Sequence, residues 1–424
     1  MKKIFSIYIF TVLCLFCSAQ QIEKSVNGSF LLENATIETV ANGQQSGSVL
    51  IQDGMIKAVG QNITGVPSDA MRIDCSGLTI YPGFIDGGTR LGLSEVGSVS
   101  LTQDYREMGD FTPHMKALTA VNPNSVSIPV TRVNGVTTVL AVPSGGKFAG
   151  QAALIDLHGY TPDQMFAGFE TAVLYFPSTG KRGRWDRRSE DDIKKDAEKS
   201  MKQLNDIWKN AKQYSKITND AMYNPQMESL KSIVNGKQKL LVQVNKKADI
   251  LQAIAWCNKN EISPIFTGMA EGWRVTDSLV KYDIPVVTGP VLRNPSRDSD
   301  KYDASYTNPG KMLAAGVKVA IKTDETENVR NLPFHAGFAA AYGMGKEEAL
   351  RAITLTPAEI FGLGDKYGSI EEGKVANLFI ADGDPFEMKT TIKHLFIRGW
   401  KVPMESRHTL LHDEFLERDP GLRQ

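Results

Sequence analysis

The segment KQKLLVQVNKKADILQAIAWCNKNEISPIFTG, residues 237–268, holds the pattern that decides the fold. It begins with one short apolar run, KQKLLVQVN (237–245), and ends with another, ISPIFTG (262–268). Between them, KADILQAIAWCNKN (247–260) has the length and the apolar spacing of a helix. A helical crossover returns the chain to the same edge of a sheet, so strands joined in this way run parallel. The segment therefore predicts a strand–helix–strand unit in a parallel sheet.

The same alternation extends along the middle of the chain. Further strands are predicted at GVTTVLAVP (135–143), DIPVVTGP (283–290) and GVKVAIKTD (316–324), with helical stretches between them. This number of units predicts an α/β fold built as a (β/α)8 TIM barrel. The charged segment 181–214 predicts a long exposed helix inserted in the barrel. A solvated helix face is favoured there over a binding arm.

Both flanks of this region have strand patterns instead. Residues 29–80 contain short apolar runs with a hairpin signal at Asp53-Gly54, and strand character returns at SIEEGKVANLFIADGD and IKHLFIRGWKV. We expect the two ends to pair, so that a small β-sandwich domain is formed by both chain ends. The predicted organisation is a signal peptide (1–19), an N-terminal sandwich part (20–81), a barrel (82–365), a C-terminal sandwich part (366–405) and a tail (406–424).

Composition and the first residues limit the function classes. Lys+Arg and Asp+Glu both number 48, so the net charge is zero and no nucleic-acid partner is indicated. The chain opens with MKK, continues with the apolar run IFSIYIFTVLCLF and reaches Ala19, which is typical of a cleaved signal peptide. A membrane anchor is the alternative, but the run is shorter than the ~20 residues of a spanning helix. We expect an exported protein, periplasmic or extracellular, with no membrane attachment after cleavage.

Several stretches together resemble one family. They are PGFID (82–86), GVTTVLAVPSGGKFAGQAALIDL (135–157), KADILQAI (247–254), the long run 332–386 with TLTPAEIFGL and GSIEEGKVANLFIADGDP, and HLFIRGWKV (394–402). The chain resembles the amidohydrolase superfamily, and most closely its exported imidazolonepropionase-like branch. The resemblance covers roughly residues 28 to 403.

The resemblance implies a distorted TIM barrel with one or two divalent metals and a β-sandwich. Its members hydrolyse non-peptide C–N bonds in amides and cyclic amides. The metal lowers the pKa of a bound water and polarises the substrate carbonyl, and an aspartate after the last strand acts as the base. Asp324, in KTDETENVRNLP, matches that aspartate. A cap or loop aspartate is the alternative interpretation of Asp324.

The metal-binding histidines of the family are missing from their expected positions. Gly88 and Arg90 stand where the resemblance implies a His-x-His pair after PGFID. Asn245 and Thr267 occupy two further histidine positions at strand ends. Glycine offers no ligand, and a guanidinium only donates hydrogen bonds. We therefore predict no metal cofactor, and zinc or another divalent metal only if the chain is an active enzyme after all.

Without a metal, the carboxylate of Asp324 needs another partner. A buried carboxylate without compensation costs several kcal/mol. Arg90 is the nearest candidate, so we predict an ion pair between Arg90 and Asp324 across the barrel mouth. The alternative is that Arg90 is a surface arginine.

Loops at the carboxyl ends of barrel strands also supply candidate ligand-binding groups. They are Arg90, Gln151, Asn245, Thr267 and Arg293. PSGGK (143–147) lacks the spacing of a phosphate-binding loop, so it does not predict one.

Three functions remain open at the sequence level. The first is a pseudoenzyme of amidohydrolase ancestry that binds a small molecule. The second is an active exported amidohydrolase that uses Asp324 as base with an atypical or absent metal. The third is a support subunit for an intact amidohydrolase paralogue. Whether the chain is an enzyme is left open, as is a homo-oligomeric state.

Overall fold

The computed structural model describes residues 24–181, 186–217 and 222–418. The predicted signal peptide, residues 1–19, lies outside the described residues. None of the helices in these ranges combines the length and the apolar character that a membrane-spanning helix requires.

Strands from both chain ends form the first eight-stranded sheet. Its strands are β1 (Phe30–Glu38), β2 (Gln44–Gln52), β3 (Met55–Gly60), β4 (Met71–Asp74), β5 (Thr79–Pro82), β14 (Leu378–Ala381), β15 (Ile392–Ile397) and β16 (Trp400–Val402). The two ends meet where β5 pairs antiparallel with β14. Alternate side chains of these strands, such as Phe30, Ile80 and Phe396, pack into one fully buried cluster. The predicted β-sandwich domain built from both ends is confirmed.

The second sheet forms the barrel. Its strands, in order around the sheet, are β6 (Phe84–Thr89), β7 (Val136–Ala141), β8 (Phe148–Asp156), β9 (Phe166–Tyr175), β10 (Leu240–Val244), β11 (Pro264–Gly268), β12 (Val286–Thr288) and β13 (Val319–Ile321). Inward-facing residues of these strands, among them Leu241, Ile265, Val287 and Ala320, fill the barrel interior. The predicted TIM barrel is confirmed.

One strand departs from the strict strand–helix alternation. β8 runs antiparallel to both of its neighbours, β7 and β9. The connections that flank it, residues 142–147 and 157–165, are too short for the dozen or more residues that a parallel crossover needs. The chain therefore turns back twice between β7 and β9.

The barrel closes between its first and last strands. At the upper end, Asp324 N donates to Gly88 O at 3.0 Å and Arg90 N donates to Glu325 O at 2.9 Å. At the lower end, residues 352–353 lie between the two strands and accept hydrogen bonds from both of them. The residues after β6 and β13 are thereby held side by side at the mouth.

Helices surround the barrel. They are α1 (Ala117–Ala120), α2 (Ser127–Arg132), α3 (Pro162–Met165), α4 (Glu190–Tyr214), α5 (Pro225–Glu228), α6 (Lys231–Val234), α7 (Lys247–Asn260), α8 (Thr276–Lys281), α9 (Ala304–Ala314), α10 (Leu332–Ala339), α11 (Lys346–Arg351), α12 (Leu355–Ile360) and α13 (Arg407–Glu417). Shorter turns lie at Ser100–Thr102, Gly272–Arg274 and Val329–Asn331, and a π-helical turn at Ala340–Met344. Within the predicted tail, α13 begins with a capping box at Ser406.

The long helix α4 is less exposed than the sequence predicts. It begins at Glu190, where the side chain of Ser189 caps it by accepting from Asp192 N. Its buried residues Ile193, Leu204 and Trp208 follow the helical period. Leu204 and Trp208 pack into the cluster that fills the space between the helices and the barrel. The prediction of an exposed helix is wrong for the face that carries these residues. The many charged residues of the segment made its regularly spaced apolar positions hard to recognise in the sequence.

A buried carboxylate joins the two domains. Asp156, at the end of β8, is fully buried and accepts from Arg398 Nε at 2.6 Å and from Asn377 Nδ2 at 2.8 Å. Thr138 and Tyr367 donate their hydroxyl groups to the same carboxylate at 2.8 and 3.1 Å. Arg398 lies in the turn between β15 and β16 of the sandwich. The barrel and the sandwich are therefore connected through one ion pair and its hydrogen bonds.

Replacing Arg398 with alanine is expected to destabilise the protein by about 3–5 kcal/mol, because it leaves the buried carboxylate of Asp156 uncompensated. The matched control is Arg72→Ala, which breaks a more exposed pair with Glu33 and should cost at most about 1 kcal/mol. Urea unfolding of the two variants measures both values. Equal losses would contradict a special role for the Asp156 network.

Candidate functional site

The carboxyl ends of the barrel strands form the candidate site. A lysine not singled out in the sequence, Lys322, lies at its centre and is 2% exposed. Its Nζ donates to Gln243 Oε1 and to Asp324 Oδ1, both at 3.2 Å. A buried ammonium is tolerated when acceptors surround it, so these two bonds hold the charge in the barrel.

Gly88 makes room for this lysine. A Cβ at residue 88 would lie 3.0 Å from Lys322 Cδ, closer than side chains normally approach. The backbone of Gly88 also accepts from Asp324 N and donates to Asp86 Oδ1. Lys322 therefore occupies the space that a side chain at position 88 would need.

Asp324 faces the mouth in a strained conformation. Its φ is 59°, in the left-handed region that aspartate visits less often than glycine. Its side chain is 40% exposed, although its ion-pair partner Lys322 is almost completely buried. Strain held at a strand end is typical of residues kept for function.

The predicted ion pair between Arg90 and Asp324 is wrong. Within the described residues, Asp324 pairs with Lys322, and the guanidinium of Arg90 lies over the ring of Tyr105, 5.2 Å from its centroid. Lys322 precedes Asp324 by two residues, just beyond the end of β13, and its Nζ lies 3.2 Å from Asp324 Oδ1. The lysine therefore reaches the carboxylate locally, and Arg90 is left to the aromatic ring.

Tyr175, at the end of β9, belongs to the same mouth. Its hydroxyl donates to Pro143 O at 3.2 Å. Burial raises the pKa of Tyr175 to about 12, the charge of Asp324 raises it too, and the charge of Arg90 lowers it. Asp324, Arg90 and Tyr175 therefore share one electrostatic environment.

Asp86 supports the mouth from below. Its carboxylate accepts from Gly88 N at 3.0 Å, from Thr323 N at 3.1 Å and from Thr323 Oγ1 at 2.5 Å. Complete burial raises the pKa of Asp86 to about 7, against the opposing effect of these hydrogen bonds and of Lys322. The aspartate of PGFID thus fixes β6 to the end of β13.

The other predicted ligand-binding residues have different surroundings. Gln151 is buried on β8 and donates to Pro113 O and Ser229 O, which gives it a structural role. Asn245 Oδ1 accepts from Ala270 N at 3.4 Å and orders the loop after β11. Thr267 is buried on β11 beside Gln243, in register with it. Arg293 lines a small cleft with Asn308 after β12.

The sequence patterns used above did not single out Lys322, Gln243 and Tyr175. Lys322 had a readable pattern, because alternation along GVKVAIKTD puts Ala320, Lys322 and Asp324 on one face of a strand. Gln243 follows from the same alternation along KLLVQVN. Tyr175 had no such pattern, since its place depends on the turn back between β8 and β9.

The mouth residues do not fit a divalent metal. Lys322 and Arg90 contribute two cations, which only donate hydrogen bonds, and Gly88 contributes nothing. Asp324 is the one carboxylate among these groups, and Lys322 already binds it. In the part of the chain that the structure describes, no three His, Cys, Asp or Glu side chains come together as metal ligands. No catalytic step is therefore derived through a metal.

His335 and His408 have hydrogen-bond partners away from the residues of the barrel mouth. His335 is buried on α10, where its Nδ1 accepts from Val291 N at 3.1 Å and burial lowers its pKa to about 4. His408 and His412 are one turn apart on α13, and His408 Nδ1 lies 3.0 Å from Arg330 Nη1.

A barrel capped by a two-ended β-sandwich, with its strand ends converging on one aspartate, defines an amidohydrolase-like architecture. The family profile described as the amidohydrolase family matches residues 267–402. The crystal structure of an amidohydrolase from Thermotoga maritima MSB8 is 26% identical, with a TM-score of 0.78 over 88% of this chain and 99% of that one. Residues 267–402 therefore carry an amidohydrolase-family domain, and the fold of the described chain is similar to that of an amidohydrolase.

Sequence similarity to two curated proteins is consistent with this family match. An imidazolonepropionase from Thermoplasma volcanium is 38% identical over 106 residues, which are 23% of this chain and 26% of that protein. The amidohydrolase tasK from Hapsidospora irregularis is 22% identical over 388 residues, 83% of this chain and 39% of that protein. The matches thus span well under two thirds of these relatives.

The packing of Gly88 against Lys322 can be tested by a double-mutant cycle. Gly88→His is expected to cost about 1–3 kcal/mol, because the new side chain needs the space of the lysine. In a Lys322→Ala background the same change should cost less, with a coupling of at least about 0.5 kcal/mol. Urea unfolding of the wild type, both single variants and the double variant measures it. Additive losses would show that the two residues do not compete for space.

The buried carboxyl of Asp86 predicts a pH dependence of stability. Its pKa is raised in the folded state, so the folded protein holds this proton between about pH 4 and about pH 7 while the unfolded chain has lost it. The contribution of Asp86 to the free energy of unfolding should fall as pH rises through this range, by at most about 1.4 kcal/mol per pH unit. Above pH 7 it should stay constant.

Comparison with Asp86→Asn isolates this contribution. The asparagine variant cannot titrate, so the difference in unfolding free energy between it and the wild type should change between pH 4 and 7. A difference that is flat over this range would contradict the raised pKa.

Proposed function

We propose that this protein is a metal-independent member of the amidohydrolase family that binds a small polar molecule at the barrel mouth. The observation that carries the proposal is the buried ammonium of Lys322, which packs against Gly88 and pairs with Asp324. The positive charge of Lys322 pairs with the negative charge of Asp324 and repels a second cation. On this proposal, the protein does not carry out the metal-assisted hydrolysis of the amidohydrolase family.

The remaining mouth groups support binding of a small ligand. The carboxylate of Asp324 is 40% exposed and can accept hydrogen bonds from a ligand. Arg90 has a half-buried guanidinium whose described contact is the ring of Tyr105, so its donors remain available to a ligand. With two cations and one carboxylate, the mouth favours a ligand that carries a negative group. This ligand class fits a non-peptide amide or cyclic amide with an acidic substituent.

A second candidate is an active hydrolase in which Asp324 acts as a general base without a metal. The exposed carboxylate and its strained backbone favour this alternative. Lys322 would then hold the carboxylate of Asp324 in position through their ion pair. In this case the chain would turn over a C–N substrate, and Asp324→Asn would abolish the turnover.

The first test is metal content together with ligand binding. We expect the purified protein to contain far less than one divalent metal ion per chain by mass spectrometry. In thermal-shift assays, a panel of N-acyl amino acids, cyclic amides with a carboxylate and their uncharged counterparts should include stabilising compounds. Arg90→Gln should weaken the best acidic compound by about tenfold, the loss of one charge-assisted hydrogen bond.

The matched control is Arg72→Gln, which removes an exposed arginine of the sandwich and should leave ligand binding unchanged. Stoichiometric metal, together with hydrolysis that a chelator abolishes, would overturn the proposal. Metal-free hydrolysis that Asp324→Asn abolishes would favour the second candidate.

A further inference from the structure

A groove of ≈ 390 Å³ lies between the last turns of α4 and α7. Its lining contains four lysines, one tryptophan and three amide side chains, and no acidic residue. The lysines are Lys209, Lys212, Lys216 and Lys259. Three come from α4 or the residues after it, and the fourth comes from the end of α7.

The positive charge of this groove is uncompensated. Among the described residues, no ion pair within 4.0 Å involves any of the four lysines, whereas lysines elsewhere on the surface, such as Lys231 and Lys318, are paired. The four lysines line one groove, and charges act on one another over ~8 Å at physiological salt. Their mutual repulsion favours the entry of an anion.

A buried donor on the groove wall points to a ligand independently of the lysines. Trp208 is 2% exposed and lines the groove, and its indole Nε1 has no hydrogen-bond partner. The neighbouring indole of Trp256 is satisfied, because its Nε1 donates to Asn205 Oδ1 at 3.0 Å. A buried N–H group without a partner costs about 1–3 kcal/mol. An acceptor bound in the groove would remove this cost.

The groove is separate from the barrel mouth. α7 starts at Lys247, whose backbone N–H donates to Glu271 in the loop after β11. The helix then runs back along the barrel towards the start of β11, so Lys259 lies at the opposite end from Lys322 and Asp324. A ligand in the groove therefore does not occupy the mouth.

We propose that this groove binds a small multivalent oxyanion, such as a phosphate ester or a sulfate ester. Lysines bind such groups as point charges, and the amide side chains and the indole N–H add donors to their oxygens. A structural explanation of the lysines is that they complement the negative C-terminal ends of α4 and α7. That explanation accounts for neither the shared lining nor the unsatisfied indole N–H.

The test is calorimetric titration of the full chain with inorganic pyrophosphate and, separately, with inorganic sulfate. We expect saturable binding of at least one anion, and the better ligand indicates whether phosphate or sulfate chemistry is preferred. The double variant Lys212→Gln/Lys259→Gln should bind at least tenfold more weakly. The matched control, Lys199→Gln/Lys202→Gln, changes the same charge on exposed positions of α4 outside the groove and should retain binding.

Trp208→Phe tests the buried donor, because it removes the indole N–H and keeps an aromatic ring at this position. We expect anion binding to weaken several-fold, and the unfolding midpoint without anion to fall because the smaller ring leaves a cavity. No binding of either anion, or an equal loss in the groove and control variants, would overturn the proposal. These results leave the function proposed for the mouth unaffected, since that site is tested with other ligands.

Discussion

The ammonium of Lys322 imposes the requirement that organises the barrel mouth. A charge so completely removed from water is stable only beside acceptors, and Gln243 and Asp324 supply them. The stem of the lysine occupies space beside β6, so residue 88 has no side chain. Asp324 has a left-handed backbone conformation, and its carboxylate lies within hydrogen-bond distance of Lys322 Nζ. The positions of three residues in or just after three different strands, Gly88, Gln243 and Asp324, are thus explained by one buried charge.

This charge also decides the electrostatics of the site. The positive charge of Lys322 pairs with the carboxylate of Asp324. Arg90 adds a second cation, whose charge acts on Tyr175 together with that of Asp324. These three charged groups, two positive and one negative, are the basis of the anionic ligand class that we propose for the mouth.

Much of the fold could be predicted from the sequence, because its signals are local. The strand–helix–strand pattern of 237–268 and the apolar runs at both ends depend only on side-chain periodicity. The antiparallel direction of β8 does not follow from side-chain periodicity, since it is fixed by the short connections on either side of the strand. The residues of the candidate site fall into the same two groups, those that a local pattern indicates and those whose position depends on the path of a loop. Alternation along 316–324 indicates Lys322 beside Asp324, whereas the contact of Arg90 with Tyr105 depends on a long loop after β6 whose path no periodic pattern fixes.

Two buried charged residues, Asp156 and Lys322, lie at opposite ends of the barrel and have different roles. Asp156 lies near the start of the parallel strands, where four side chains donate to it and connect barrel to sandwich. That carboxylate is fully satisfied, so its network contributes rigidity and no reactivity. Lys322 lies at the other end, bonded to a carboxylate that remains partly open to solvent. The Asp156 network holds the barrel together at the end away from the mouth, so the fold does not depend on the side chains around Lys322. A fold of this kind does not by itself determine the chemistry at its strand ends, and the function proposed for this chain therefore rests on the residues around Lys322.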